Sequence, residues 1–143
     1  GMYENNFISG YSNSVFSKGA NWYIRCKLDT AAISSISSYS FNNPGYVAEN
    51  HFTQCDFSGT FTYSLLIDDA SSNNAYHIFD GCVFSSPIVL AAHRFTSFVG
   101  CEIGSTTFTN NVGATAIVGS YAFSATTVSG TGTKSLAGNF NLT

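Results

Sequence analysis

Apolar and polar residues alternate along this chain in bursts too short for helices. FVGCEIGS at 98–105 shows the pattern, and YIRCKLDT (23–30), FTQCDFSG (52–59) and FDGCVFSS (79–86) repeat it. Two residues past each cysteine stands Leu28, Phe57, Phe84 or Ile103, and three before it Tyr23, Phe52, Phe79 or Phe98. The position between cysteine and apolar partner is mixed: Lys27, Asp56, Val83, Glu102. In-out-in alternation over three residues is the period of a strand. Arg25, Gln54, Gly81 and Gly100 precede the cysteines and Asn5 and Asn139 hold the same place in further copies, and the prevalence of Gly and Asn there suits a turn that needs positive φ. Helical periodicity is absent, and the abundant Ser, Thr and Gly are poor helix formers.

Extending the alignment adds Asn6, Tyr121 and Phe140 at the key position, so that successive copies lie 20, 29, 27, 19, 20 and 19 residues apart. In this register Tyr3, Val118 and Ala137 stand three before, Ile8, Phe123 and Leu142 two after, and Ser120 and Asn139 in the turn. A further apolar patch follows each phrase at Ile33, Phe61, Ile88 with Leu90, Phe108 and Val128. A fixed period near 20 residues is the mark of a solenoid. Each coil is expected to hold three short strands and three turns. Stacked coils pair in parallel, and each core position becomes a ladder along the axis.

The recurrent phrases DGCVFSS and VGCEIGS resemble the right-handed parallel β-helix family with the pectate-lyase-like fold, over nearly the whole chain. The resemblance implies an all-β, single-stranded parallel β-helix of about six coils, two of them longer (26–55 and 55–82). One domain over residues 1–143 is expected. Gly1 ahead of Met2 reads as a tag remnant, and the missing end caps read as a fragment of a longer rod. Lyases, hydrolases, epimerases and phage tailspikes share the fold, so the fold alone names no activity.

Composition narrows the classes. Charged residues make up 9% against roughly 25% in an average soluble protein, so the surface is built from Ser, Thr, Asn and Gly. With 5 Lys+Arg and a formal charge of −3, no basic stripe for nucleic acid is available. No apolar run is long enough to insert in a membrane. The weakly charged, Ser/Thr/Asn-rich surface fits an extracellular or virion setting.

The cysteines are read as inert core thiols. Stacked Cβ atoms about 4.8 Å apart are too far for a disulfide, which wants about 3.8 Å. A straight column also cannot converge on zinc. Tyr121 and Phe140 would continue that column and widen the cross-section. No cofactor and no metal site is expected.

Candidate chemistry falls on the two longer coils, whose insertions run through SSISSYSFNNPGYVAEN (34–50) and TYSLLIDDASSNNAYH (62–77). Per-coil insertions map to loops on one face, often the binding face. They offer Tyr39, Tyr46 and Tyr63 with Asp68 and Asp69 as a glycan-binding set, by ring stacking and hydroxyl recognition. Asp68, Asp69 and Glu49 are the best catalytic candidates. Asp68-Asp69 suits an acid/base pair, a calcium seat or a plain solvated turn. Lys27 over Asp56 is expected to form an ion pair between coils. The acidic calcium cluster and basic residue of the family's lyases have no counterpart on one outward column here.

His77 falls in an inward register with Asn21, Asn50 and Thr96, which suits a hydrogen-bonded structural histidine. His93-Arg94 reads as a polar turn. The outward register reads Trp22, His51, Ile78, Ser97, Ile117 and Leu136, an apolar stripe of the kind that marks a partner surface. Trp22, His51, Ile78, Ile117 and Leu136 are therefore the expected oligomer interface, and a homotrimer the expected state. Two functions follow. One is a structural, receptor-binding segment of a trimeric tailspike-like or adhesin protein that contacts surface polysaccharide. The other is a polysaccharide lyase or glycoside hydrolase working with insertion-loop carboxylates. An ice-binding array at Thr106, Thr107, Thr126 and Thr127 is interrupted by Ser86-Pro87 one coil earlier.

Overall fold

The computed structural model describes residues 2–8, 20–28, 48–58, 64–68 and 75–143, and among them every element is a β-strand. Three parallel sheets run along one axis. The first contains β1 (Met2–Glu4), β3 (Ala20–Ile24), β5 (Ala48–Thr53), β8 (Ala75–Asp80), β11 (Phe95–Val99), β14 (Ala114–Val118) and β17 (Thr133–Ala137). The second contains β2 (Phe7–Ile8), β4 (Lys27–Leu28), β6 (Asp56–Phe57), β9 (Val83–Phe84), β12 (Glu102–Ile103), β15 (Tyr121–Thr126) and β18 (Phe140–Leu142). The third contains β7 (Leu65–Asp68), β10 (Ile88–Ala92), β13 (Phe108–Asn110) and β16 (Val128–Ser129). Over residues 75–143 the chain visits the three sheets in turn, once per coil, as a parallel β-solenoid.

The sharp corner between the first and second sheets explains the repeated phrase. Its first residue adopts left-handed φ in every coil: Asn5, Arg25, Gln54, Gly81, Gly100, Gly119 and Gly138, with values from 49° to 64°. Glycine meets that geometry without cost, and Asn is the best of the rest. The next residue points inward, and in four coils it is a buried, unoxidised cysteine. Each thiol donates to a carbonyl one coil back: Cys55 to Tyr23, Cys82 to Phe52 and Cys101 to Phe79 at 3.3–3.4 Å, and Cys26 to Tyr3 at 3.5 Å. Burial pushes the Cys82 thiol far above the ordinary range, with Cys101 and Cys55 beside it adding to the rise.

This corner also corrects the expected register in the last two coils. Phe98 pairs with Ile117 and Ile117 with Leu136, while Glu102 pairs with Tyr121 and Tyr121 with Phe140. The column therefore continues as Ser120 and Asn139, not Tyr121 and Phe140, and it does not widen. Asn139 takes over the thiol's task, donating from Nδ2 to the Ile117 carbonyl at 2.8 Å. Tyr121 and Phe140 point outward and are exposed. The third strand of the second long coil is Leu65–Asp68, aligned with Ile88, so part of the expected insertion is regular strand. Ile33 and Phe61 lie outside the described residues.

Two aromatic ladders fill the core. Tyr3, Tyr23, Phe52, Phe79 and Phe98 stack face to face with centroids 4.8–5.1 Å apart, one ring per coil. Phe57 and Phe84 form a second stack at 4.9 Å and meet the first edge-on.

Beside them runs a buried polar chain. Asn21 donates to Asn50 Oδ1 at 3.3 Å, and Asn50 Nδ2 donates to His77 Nδ1 at 3.4 Å. Near the next corner Thr96 donates to His93 Nδ1 at 2.8 Å, and His93 Nε2 donates to Asn110 Oδ1 at 2.6 Å. Asn110 in turn donates to the Thr133 carbonyl at 3.0 Å. In this arrangement both rings are neutral, with the proton on Nε2. His77 is the inward structural histidine expected from its register. His93 is not a solvated turn residue but is buried in the corner, where Gly113 (φ 102°) closes over it. A Cβ on Gly113 would lie 1.9 Å from the His93 carbonyl oxygen, so only glycine fits.

Candidate functional site

Alternation along the first sheet sends every second side chain to its outer face, and the chemistry of the described residues gathers there. Trp22, His51 and Ile78 are successive partners in one column, and Glu49, Tyr76 and Phe95 in the next. The Trp22 indole is 39% exposed and lies flat on the His51 ring, centroids 5.2 Å apart at 9°. His51 Nε2 reaches Glu49 Oε1 at 2.6 Å, which fixes both side chains along the sheet. One coil on, the Arg94 guanidinium sits 5.0 Å over the Tyr76 ring, and Tyr76 tilts against Phe95 at 6.5 Å. The result is a row of stacked and tilted rings on the outer face, edged by a carboxylate and a guanidinium. Such a surface offers a part-exposed indole and ring edges for apolar contact, a hydrogen-bond acceptor and a forked donor.

Of the expected site residues, Glu49 belongs to this face, held by His51. Asp68 ends β7 on the third sheet, opposite Ala92. It leads through residues 69–74 into β8, whose Tyr76 pairs with Glu49. Tyr39, Tyr46, Tyr63 and Asp69 lie outside the described residues. Among the described residues no three His, Cys, Asp or Glu side chains converge to hold a metal ion.

The expected interface divides. Trp22, His51 and Ile78 occupy the outer column. Ile117 is fully buried in the Phe98 column, and Leu136, its partner in register on β17, is 38% exposed. With the corner glycines aligned, the outer column continues as Ser97, Ala116 and Ser135, so the apolar stripe stops after Ile78. Tyr76, Arg94 and Phe95 escaped the reading of the sequence. Tyr76 and Phe95 carry the same alternation, two positions before Ile78 and Ser97 as Glu49 is before His51, whereas Arg94 falls outside it.

The second sheet carries the expected pair between coils: Lys27 Nζ lies 3.1 Å from Asp56 Oδ2, with both side chains over a third exposed. Burial alone would raise the Asp56 pKa, but hydrogen bonds from Ser58 and the Lys27 charge bring it below the ordinary value. In a double-mutant cycle with Lys27→Met and Asp56→Asn, the coupling is expected at about 0.2–1 kcal/mol and to fall with added salt. A coupling insensitive to salt would contradict this solvent-screened assignment. A flat threonine array is absent from the described residues: Thr126 is buried and donates to the Ser105 carbonyl at 3.2 Å.

No protein-family model matches the chain, and no curated protein or solved structure does so either. What fold and face define together is a parallel β-solenoid with a lateral aromatic platform.

Proposed function

We propose that this solenoid is a structural, receptor-binding segment of a trimeric tailspike-like or adhesin protein, and that its outer platform contacts surface polysaccharide outside the cell. The observation that carries the proposal is the stacked Trp22–His51 pair, with Trp22 39% exposed and His51 braced by Glu49. A pyranose presents one apolar face and a rim of hydroxyls. The exposed part of the indole and the neighbouring Tyr76 and Phe95 rings would meet the former, and Glu49 and Arg94 would hydrogen-bond the latter. Successive platform residues advance by one strand spacing, about 4.8 Å, close to the rise of a sugar unit along an extended chain. Low charge suits neutral glycan, because binding then depends on stacking rather than on an opposite field. The pectate-lyase-like resemblance supports the same class of partner.

Titration of the intact chain against a panel of bacterial and plant polysaccharides, followed by calorimetry on the best binder, tests the proposal. Trp22→Ala is expected to weaken binding about tenfold, or ~1.4 kcal/mol, with the fold intact by circular dichroism. Absence of binding across the panel, or unchanged affinity in Trp22→Ala, would overturn it. Release of new reducing ends or of unsaturated product would replace contact with turnover.

A further inference from the structure

The corrected register brings a second surface into view. Outside the corner between the first and second sheets, Val99, Val118, Tyr121, Phe123 and Phe140 all stand in solvent. Val99 and Val118 are partners in the first sheet, Tyr121 and Phe140 in the second, and Gly119-Ser120 joins the two pairs across the corner. Phe123 projects from a bulge: the pairing of β15 with β18 passes from Tyr121 directly to Thr126. Its ring meets Tyr121 edge to face at 6.1 Å and 73°. Phe123 is 70% and Phe140 68% exposed, values unusual for side chains whose position the pairing and the ring contact define.

We propose that this corner is the self-association face of the protein, occupied by the same corner of a second copy of this chain. The inference rests on the oligomeric part of the proposed function and moves the contact away from the Trp22 column. At about 200 Å² per aromatic side chain, the three rings leave roughly 360 Å² of apolar surface in water, and the valines bring the patch to about 450–500 Å². A standard interface takes about 800 Å² per partner with an apolar share near 60%, so the patch matches the apolar core of one such contact. Charge stands only at one rim of the patch, where Asp80 pairs with Val99 and Glu102 with Tyr121. Between Glu102 and Lys134 the chain has no charged residue, so the centre of the patch is uncharged, as in the core of an interface. The patch also follows the corner, parallel to the solenoid axis. A two-fold axis parallel to it sets the patch against its own copy, and a three-fold axis beside the corner brings three such patches together.

Light scattering on the 15.2 kDa chain at tens of micromolar decides the matter, with circular dichroism and melting curves recorded on every sample. The unmodified chain is expected at an integral multiple of that mass. The double variant Phe123→Asp/Phe140→Asp is expected at the monomer mass with an unchanged spectrum, and Ile78→Asp at the unmodified mass. Phe123→Asp alone, at the more exposed ring, gives the same reading should the double variant lose its spectrum. Retention of the oligomer in the folded Phe123 variants, or its loss in Ile78→Asp alone, would overturn the corner assignment while leaving the oligomer standing. A monomeric unmodified chain would overturn both. Glycan binding by the Trp22 platform is scored separately and survives either result.

Discussion

Replacing Phe79 by alanine is expected to lower the free energy of unfolding by about 3–5 kcal/mol. Phe79 is fully buried, with Phe52 stacked 4.8 Å on one side and Phe98 5.1 Å on the other. Phe57 and Phe84 close its edges at 5.6 and 5.5 Å. The coils above and below are held apart by backbone ladders at a spacing set by the strands, so the walls cannot move in to fill the space. The cost therefore belongs at the upper end for large-to-small changes. Urea denaturation followed by circular dichroism measures it, and a loss under about 1 kcal/mol would mean that the rings do not form a continuous ladder.

Acid should destabilise this protein before its carboxylates are protonated. Burial, with the His93 ring adding to it, drives the His77 pKa down to about 3 from an ordinary value near 6.5. Burial lowers His93 too, partly opposed by its bond to Asn110. A histidine kept neutral in the fold but free to charge when unfolded stabilises the native state fully above pH 6.5. That contribution is lost as pH falls from 6.5 toward 3, where the native ring itself begins to charge. Below pH 6.5 the slope from His77 approaches about 1.4 kcal/mol per pH unit, so His77 alone removes about 2.3 kcal/mol between pH 6.5 and 4.5. Protonation would also place an N–H on Nδ1 against the Asn50 amide, which already donates there. His77→Asn extends the Asn21–Asn50 ladder with a group that does not titrate. It is expected to reduce the slope between pH 6.5 and 4.5 by up to about 1.4 kcal/mol per unit, read from urea midpoints across that range. A flat stability profile in the unmodified chain, or an identical slope in His77→Asn, would contradict the buried neutral assignment.

The cysteine phrase made most of the architecture legible. Strand alternation, coil lengths, the thiol column, the Lys27–Asp56 pair and the Trp22–His51 neighbourhood all follow from it, because identical phrases must stack. The register failed where the phrase lost its cysteine. Aligning Tyr121 and Phe140 with Cys101 treated the aromatic as the conserved inward element. The constraint that governs the corner is conformational: Gly100, Gly119 and Gly138 share left-handed φ, and VGC, VGS and AGN are the equivalent triplets. Side-chain character misled there because Ser120 and Asn139 fill the inward place by hydrogen bonding rather than by apolar contact. One residue of slip turns every side chain to the opposite face, which is how Ile117 was placed outside and Phe123 inside. His93 escaped for another reason. Its burial depends on Asn110 and Thr96 meeting across the corner, and no local period announces such a meeting. The site was half legible: Trp22, His51 and Glu49 stood out by type, whereas Tyr76, Arg94 and Phe95 acquire meaning only from the coils that place them side by side.

Sulfur anomalous diffraction from crystals of the unmodified chain tests directly whether successive coils lie in register. The expected result is four sites, Cys26, Cys55, Cys82 and Cys101, on one nearly straight interior line at intervals of about 5 Å, with Met2 as a fifth site at the surface. Four sites scattered through the molecule, or any adjacent two separated by nearly twice that interval, would contradict it.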